Sequence, residues 1–421
     1  MSHSTELSRQ SDMNDTKRSE SFGHSDAAGA DVVVVGGGLA GLTAAATVAA
    51  AGKRVVVREK LGVPGGDARS TNKDGFIFNQ GPHALYRGGA AEKILTQLGV
   101  RISGGIPPVK GRIVMNGSAH VAPADPLTLM QTKAIPLVAK LQIAKVLALL
   151  PRQNPGAHQG TTVRQWVDKM VSHDAAANLL LGLVRLSTYV NQPDSLSADA
   201  AISQLQSALD QGVTYVDGGW QTLVDQLAAT PGVEIRAGEA VTHLPDARAV
   251  IIAAGGPALA SSLLDTTFQI GPAAQVSVVD LGLKRRPDHD VVIGGDVPLY
   301  FSNHSSVANL APSGHFQAAT MQYLADGDEP DHQAIDAFAG HAGVRDDDIM
   351  VSRRLHLMTA ASATPAAALG GLPGRPNATD TGHDNVFIAG DWVGPVGLLA
   401  DAAVSSGQAA ATAALAKLGV R

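Results

Sequence analysis

At 421 residues the chain is longer than one hydrophobic core usually supports, so two domains are expected. An apolar content of 45% is ordinary for a globular protein, and a net charge of −6 argues against a nucleic-acid surface. The absence of cysteine excludes disulfides, thiolate nucleophiles, cysteine-ligated zinc or iron–sulfur centres, and any cofactor tethered through a cysteine.

Residues 1–30 are rich in Ser, His, Asp and Asn and poor in large apolar side chains. Such a segment cannot offset its ordering entropy by burial and reads as a disordered tail. It lacks the apolar core of a secretory signal. Its histidines, His3 and His24, have no ligand spacing, and no metal site is expected.

Val32–Val35 is a run of β-branched residues with both faces apolar, the pattern of a buried parallel strand. Gly36, Gly38 and Gly41 then make G-x-G-x-x-G. The first glycine permits a tight turn, the second lets backbone approach a pyrophosphate, and the third brings the next helix onto the strand. That helix is expected over 42–51, ending at Gly52, with its first-turn N–H groups toward the phosphates. A second strand over 53–59 ends at Glu59, where a carboxylate accepts hydrogen bonds from a ribose. Strand, glycines, helix, strand and acid in this order predict a dinucleotide site.

Next come Gly65-Gly66 and the run Phe78-Asn-Gln-Gly-Pro-His83. Here the chain resembles the superfamily of flavin-dependent amine oxidases, phytoene desaturases and protoporphyrinogen oxidase. Its members follow the ribose-binding Glu with a Gly-Gly-Arg loop, a short strand and a Gly-Pro turn beside the flavin ring. The resemblance implies non-covalent FAD contacted by Gly36, Gly38, Leu39, Ala40, Gly41, Glu59, Lys60, Gly66, Gly81, Pro82 and His83. The loop arginine of the family falls on Asp67, whose charge would repel a pyrophosphate. Either Arg69, two residues on, substitutes for it, or the loop sits differently.

A second, α+β substrate domain is expected over 85–211 and 271–379, interleaved with the Rossmann-type FAD-binding domain of 31–84, 212–270 and 380–421. Its first part holds a helix over 91–98, a hairpin around Asn116-Gly117, and further helices over 161–190, with Trp166 and Tyr189 as core or pocket residues. The stretch 127–150 is apolar and helix-forming. It is interrupted by Pro136 and carries Lys133, Lys140 and Lys145, so it is too short and too charged to span a bilayer. Packing within the substrate domain is favoured over a helix lying on a membrane surface.

Asp217-Gly-Gly-Trp220 and the helix after it return to the cofactor domain, again as in the desaturase group. Strands are expected over 233–236, 240–244 and 249–256, and the resemblance places Val241 against the adenine. Residues 273–368 are β-rich, with strands over 275–283, 297–301 and 315–324 as walls of a substrate cavity. His83, Tyr300 and His304 are weak candidates to line it. No Ser-His-Asp set or HExxH motif appears, and no catalytic residue is assigned.

The last signature is a strand over 385–389, then Gly390-Asp391 and an Ala-rich helix. By the resemblance, Asp391 bonds the ribityl or phosphate region of FAD, and Val396, Gly397 and Leu398 bring a helix N-terminus to the flavin edge. Two motifs bracketing one cofactor favour FAD over NAD. Residues 352–377 contain no Phe, Trp or Tyr, so one wall of an amine oxidase's aromatic cage is missing. The expected function is desaturation or oxidation at carbon of a lipophilic small molecule, with an electron acceptor the sequence does not identify. A flavin amine oxidase and a flavin binder without turnover are the alternatives. The expected place is the cytoplasm, either free or at the inner face of the membrane.

Overall fold

The computed structural model describes residues 29–108 and 110–420. The expected tail with His3 and His24 lies outside them, apart from its last two residues. In chain order the elements that place the site are β1 (Val32–Val35), α1 (Leu39–Ala50), β2 (Val55–Glu59), β3 (Phe76–Asn79), α2 (Ala90–Gln97), α3 (Leu137–Leu149) and α4 (Asp174–Thr188). There follow β4 (Val233–Ala237), β5 (Ala249–Ile252), β6 (Ala274–Leu283), β7 (Leu299–Asn303), β8 (Phe316–Leu324), β9 (Ile349–Ala361), β10 (Val386–Ile388) and α5 (Leu399–Lys417).

One sheet is parallel, in the order β4-β2-β1-β5-β10. The four valines of β1 lie between β2 and β5 and are buried on both faces, as a central parallel strand requires. α1 starts at Leu39, three residues earlier than the sequence suggests, directly on the glycine turn. The strand order reverses between β1 and β5, the place where open α/β sheets bind ligands beyond their carboxyl ends.

Two expectations fail in this layer. No strand forms over 240–244. Gly238 N–H donates to Leu61 O and Glu239 N–H to Glu59 O, and the chain then leaves the sheet. β2 itself is paired on both flanks, by β4 and β1, and residues 240–244 do not add to the open edge of β4. Val241 is buried in the core of this sheet all the same. The domain boundary expected after residue 84 also cuts through this core, because Ala91, Ile94 and Leu95 of α2 pack into it. Asp401 of α5 accepts from Ala91 N–H at 2.7 Å, supplying the cap that α2 lacks.

The second sheet has seven strands. β9, β6, β8 and β7 run antiparallel, followed by Val291–Gly294 and the hairpin Arg112–Met115/Ser118–Val121. Asn116 (φ 50°) and Gly117 (φ 71°) make the hairpin turn that Asn-Gly signals. The strand expected over 297–301 is observed two residues later, as β7. Alternation splits its side chains: Tyr300 packs on the face toward α4, while Leu299 and Phe301 pack on the opposite face. Helices α3 and α4 cover one end, with Trp166 in their core donating to Gln153 Oε1 at 3.0 Å. The long apolar stretch breaks at Pro136 into Pro126–Gln131 and α3.

Candidate functional site

At the mouth of β1, Gly36 has φ 106°, and a Cβ there would lie 2.7 Å from Ala253 O. Only glycine fits both demands. A Cβ on Gly41 would run into Gly36 O, which shows how tightly α1 lies on the turn. Gly38 differs: open space surrounds its Cβ position. It is the N-cap of α1 and offers no side-chain cap, so the first-turn N–H groups around Leu39, Ala40 and Gly41 keep their donor capacity. The buried Glu59 carboxylate is held at the same mouth, accepting from Gly37 N–H and Leu61 N–H, each at 2.7 Å. Lys60 beside it is exposed. An open glycine, an uncapped helix and a fixed carboxylate fit a dinucleotide.

The second glycine loop lies against the first. Gly65 N–H donates to Gly37 O at 2.7 Å, and Gly66 faces Gly38. Arg69 forms no side-chain hydrogen bond or ion pair among the described residues, and its Nε is buried without a partner. Burial raises the Asp67 carboxyl pKa against the pull of His83 and Arg69. Asp67 also contributes to the rise at Asp391, after burial itself, so the two carboxylates share one neighbourhood.

Beyond β3, Gly81 turns with φ 78° against Met358 of β9. His83 Nδ1 donates to Gly81 O at 2.9 Å, its ring meets Trp220 edge-on with centroids 4.8 Å apart, and burial lowers its pKa. Pro82 O accepts from Tyr189 Oη at 3.1 Å. Asp391 Oδ2 accepts from Ser362 N–H at 2.7 Å. Gly397 and the buried Leu398 lead into α5, whose N-terminus is likewise uncapped by a side chain. The Val396 side chain, expected at the flavin edge, is instead 45% exposed; its carbonyl is what points inward, to Arg375.

All five tyrosines of the chain (Tyr86, Tyr189, Tyr215, Tyr300 and Tyr323) are buried or half-buried around one interior region. Tyr215 Oη lies 2.9 Å from Ser302 Oγ and 3.2 Å from Tyr300 Oη, and the Tyr189 and Tyr323 rings meet edge-on. His304 packs on Tyr215 at 4.6 Å, its Nδ1 has no partner, and burial lowers its pKa to about 3. Tyr300 and His304 therefore converge through Tyr215. Desolvation raises the Tyr300 pKa and keeps His304 neutral, which suits packing better than proton transfer at neutral pH.

The sequence reading missed two charged groups here. Arg353 Nη2 donates to Asp280 Oδ2 at 2.6 Å and to Asn79 O, with its guanidinium 5.4 Å from the centroid of the Phe78 ring. It ties the substrate-side sheet to the strand that leads into Gly81. Asp280 is fully enclosed, and burial outweighs Arg353 to raise its pKa to about 6. Arg375 is the other group. Alternating polar residues inside β-strands could have flagged Asp280, whereas nothing local marks either arginine.

A family model described as an NAD(P)-binding Rossmann-like domain matches residues 34–98. Mitochondrial protoporphyrinogen oxidase of Nicotiana tabacum is 30% identical over 115 residues, 27% of this chain and 23% of that protein. Phytoene dehydrogenase of Streptomyces griseus is 43% identical over 72 residues, 17% and 14% respectively. The chain thus spans less than a quarter of the length of these curated relatives. Among solved structures, putrescine oxidase bound to putrescine superposes with a TM-score of 0.68 at 17% identity, covering 92% of this chain and 99% of that one. Cyclohexylamine oxidase of Brevibacterium oxydans superposes at 0.68 and 15% identity, covering 93% and 99%. At such identities these structures speak for the fold. The chain is thus similar to protoporphyrinogen oxidase and phytoene dehydrogenase in part of its sequence, to an NAD(P)-binding Rossmann-like domain over 34–98, and to amine oxidases in its fold.

Proposed function

We propose that this protein is an oxidoreductase that binds FAD non-covalently and oxidises or desaturates a lipophilic small molecule at carbon, as the desaturase-like branch does. The observation that carries the reading is the convergence of two motifs more than 300 residues apart. The uncapped start of α1 with Glu59, and the Asp391 loop with the uncapped start of α5, follow the carboxyl ends of β1, β2 and β10 in one sheet, with β5 between β1 and β10, and α5 packs on α1.

In this reading the first turn of α1, with Gly36, Gly38, Leu39, Ala40 and Gly41, holds the pyrophosphate. Glu59 holds the ribose, and the unpartnered Arg69 supplies the phosphate contact that Asp67 cannot. Gly66, Gly81, Pro82, His83, Asp391, Gly397 and Leu398 hold the ribityl and ring region, and Val241 the adenine. FAD, when bound, supplies the hydride acceptor. The chain binds, orients and excludes water, which accounts for the lack of an acid–base pair among His83, Tyr300 and His304.

The wall facing Gly81 supports a lipophilic substrate: Val278, Met321 and Met358 join Tyr300 and Tyr323 there. The same wall does not favour an amine. Asp280, whose carboxylate could have met an ammonium, is already engaged by Arg353. No helix of the described residues is long and apolar enough to cross a membrane. The surface around α3 nevertheless supports a peripheral contact. Leu127, Leu137, Val138 and Leu141 are each 58–66% exposed. Between Asp125 and Asp168 there is no acidic residue, while Lys133, Lys140, Lys145, Arg152 and Arg164 are present. Exposed apolar side chains among these cations, Arg164 excepted because it pairs with Asp194, suit an anionic lipid surface.

The visible absorption spectrum of the purified protein, with mass analysis of the released cofactor, tests the reading. Released FAD is the expected result, followed by anaerobic bleaching with a lipophilic substrate. Protein that is colourless and takes up no added FAD would overturn it, and bleaching by amines alone would move it to the amine oxidases.

A further inference from the structure

Arg375 is 6% exposed, yet no carboxylate lies within ion-pairing distance of it among the described residues. Its partners are backbone carbonyls: Nη1 donates to Asp391 O at 2.9 Å, and Nη2 to Gly397 O at 2.9 Å and Val396 O at 3.3 Å. Nε is buried with no partner. The Asp391 carboxylate turns away to Ser362 N–H. One guanidinium thus closes both ends of the 391–397 loop, immediately before α5. The first residue of that helix, Leu399, is held at φ 53°, a conformation that branched side chains rarely adopt and that persists only where surrounding structure imposes it.

A buried arginine hydrogen-bonded only by carbonyls is expensive even with Asp391 and Asp199 acting on it from beyond ion-pairing distance, and the N-terminus of α5 beside it, with Asp401 in its first turn, adds partial positive charge from its N–H groups. Both favour negative charge at the same point. We propose that Arg375 is a positioning residue for the flavin: it fixes the 391–397 loop and, together with the N-terminus of α5, stabilises the negative charge that reduction places on the cofactor edge held there. This rests on the FAD reading above. Side-chain geometry alone reveals it, since Arg375 stands sixteen residues before Asp391 in a Gly- and Pro-rich loop.

Two variants test it. Lysine at 375 keeps the charge but cannot span both ends of the loop, so in the apoprotein of R375K amide exchange over 391–398 should speed up at least tenfold. Methionine removes the charge. In flavin-loaded R375M the ratio of reduced to oxidised flavin at a fixed dye potential should fall at least tenfold, about 30 mV for a two-electron couple. The midpoint of R375K should stay near that of the parent. Unchanged exchange in R375K overturns the clamp, and an unchanged midpoint in R375M overturns the electrostatic role. If R375M does not fold, a midpoint in R375K as low as that of free FAD overturns the electrostatic role instead. A parent protein that takes up no FAD defeats the FAD reading, and the exchange measurement still decides the clamp by itself.

Discussion

Gly38 and Asp280 show how differently single residues act in this molecule. A Cβ at Gly38 would meet no protein atom within 4 Å, so a small branched side chain there points into open space. Gly38→Val should therefore leave the melting temperature within a few degrees of the parent while FAD retention is lost. Full flavin occupancy in this variant would show that the pyrophosphate lies elsewhere. Asp280 works through pH. Its folded pKa, about 6, lies above the ordinary 3.8, so the folded state holds the proton more tightly. The stability it contributes is fully present below pH 3.8 and is lost as pH rises through about 6. Asp280→Asn cannot titrate, and it leaves Arg353 buried without its partner, at a cost of about 3–5 kcal/mol. The stability advantage of the parent over D280N should shrink between pH 4 and 7, as followed by urea unfolding. A difference flat across that range would mean that Asp280 is ionised throughout.

Among the elements, α1 and α5 carry the two halves of the proposed cofactor site and pack on each other. A Cβ on Gly407 of α5 would collide with Ala40 O of α1. Gly407→Val should push the helices apart, lowering stability by about 1–3 kcal/mol through overpacking and weakening FAD uptake in the same titration. α3 makes a different case. Ala139, Ile143 and Val146 face inward, while Leu137, Val138 and Leu141 face solvent, so it is apolar on both sides. The double change Leu137→Glu, Leu141→Glu touches only the outer face. Unfolding midpoints should hold, and co-sedimentation with vesicles containing an anionic lipid should drop several-fold. If the parent chain stays in the supernatant, the surface has another use.

Across the whole molecule, the parallel sheet was legible because its signals are local. Four valines need burial on both faces, three glycines need one particular turn, and each fact lies within ten residues. The Asn116-Gly117 hairpin was legible for the same reason. Pairing was not local. Residues 240–244 read as a strand, yet after Glu239 the chain leaves the sheet, and no property of the five residues reports that. Placement of α2 in the cofactor core was hidden likewise, since its apolar face does not say which sheet it meets. By itself the sequence determined the glycine turn at 36–41, the acid that ends β2, the Gly-Asp loop near the C-terminus and the resemblance these carry, because backbone conformation and strand burial impose those residue types directly. Only the tertiary structure decided that Arg353 joins the two sheets, that Arg375 closes the 391–397 loop, and that all five tyrosines share one interior. Those contacts depend on where long side chains end after folding, and the partners that receive them are mostly backbone carbonyls, which every residue carries alike.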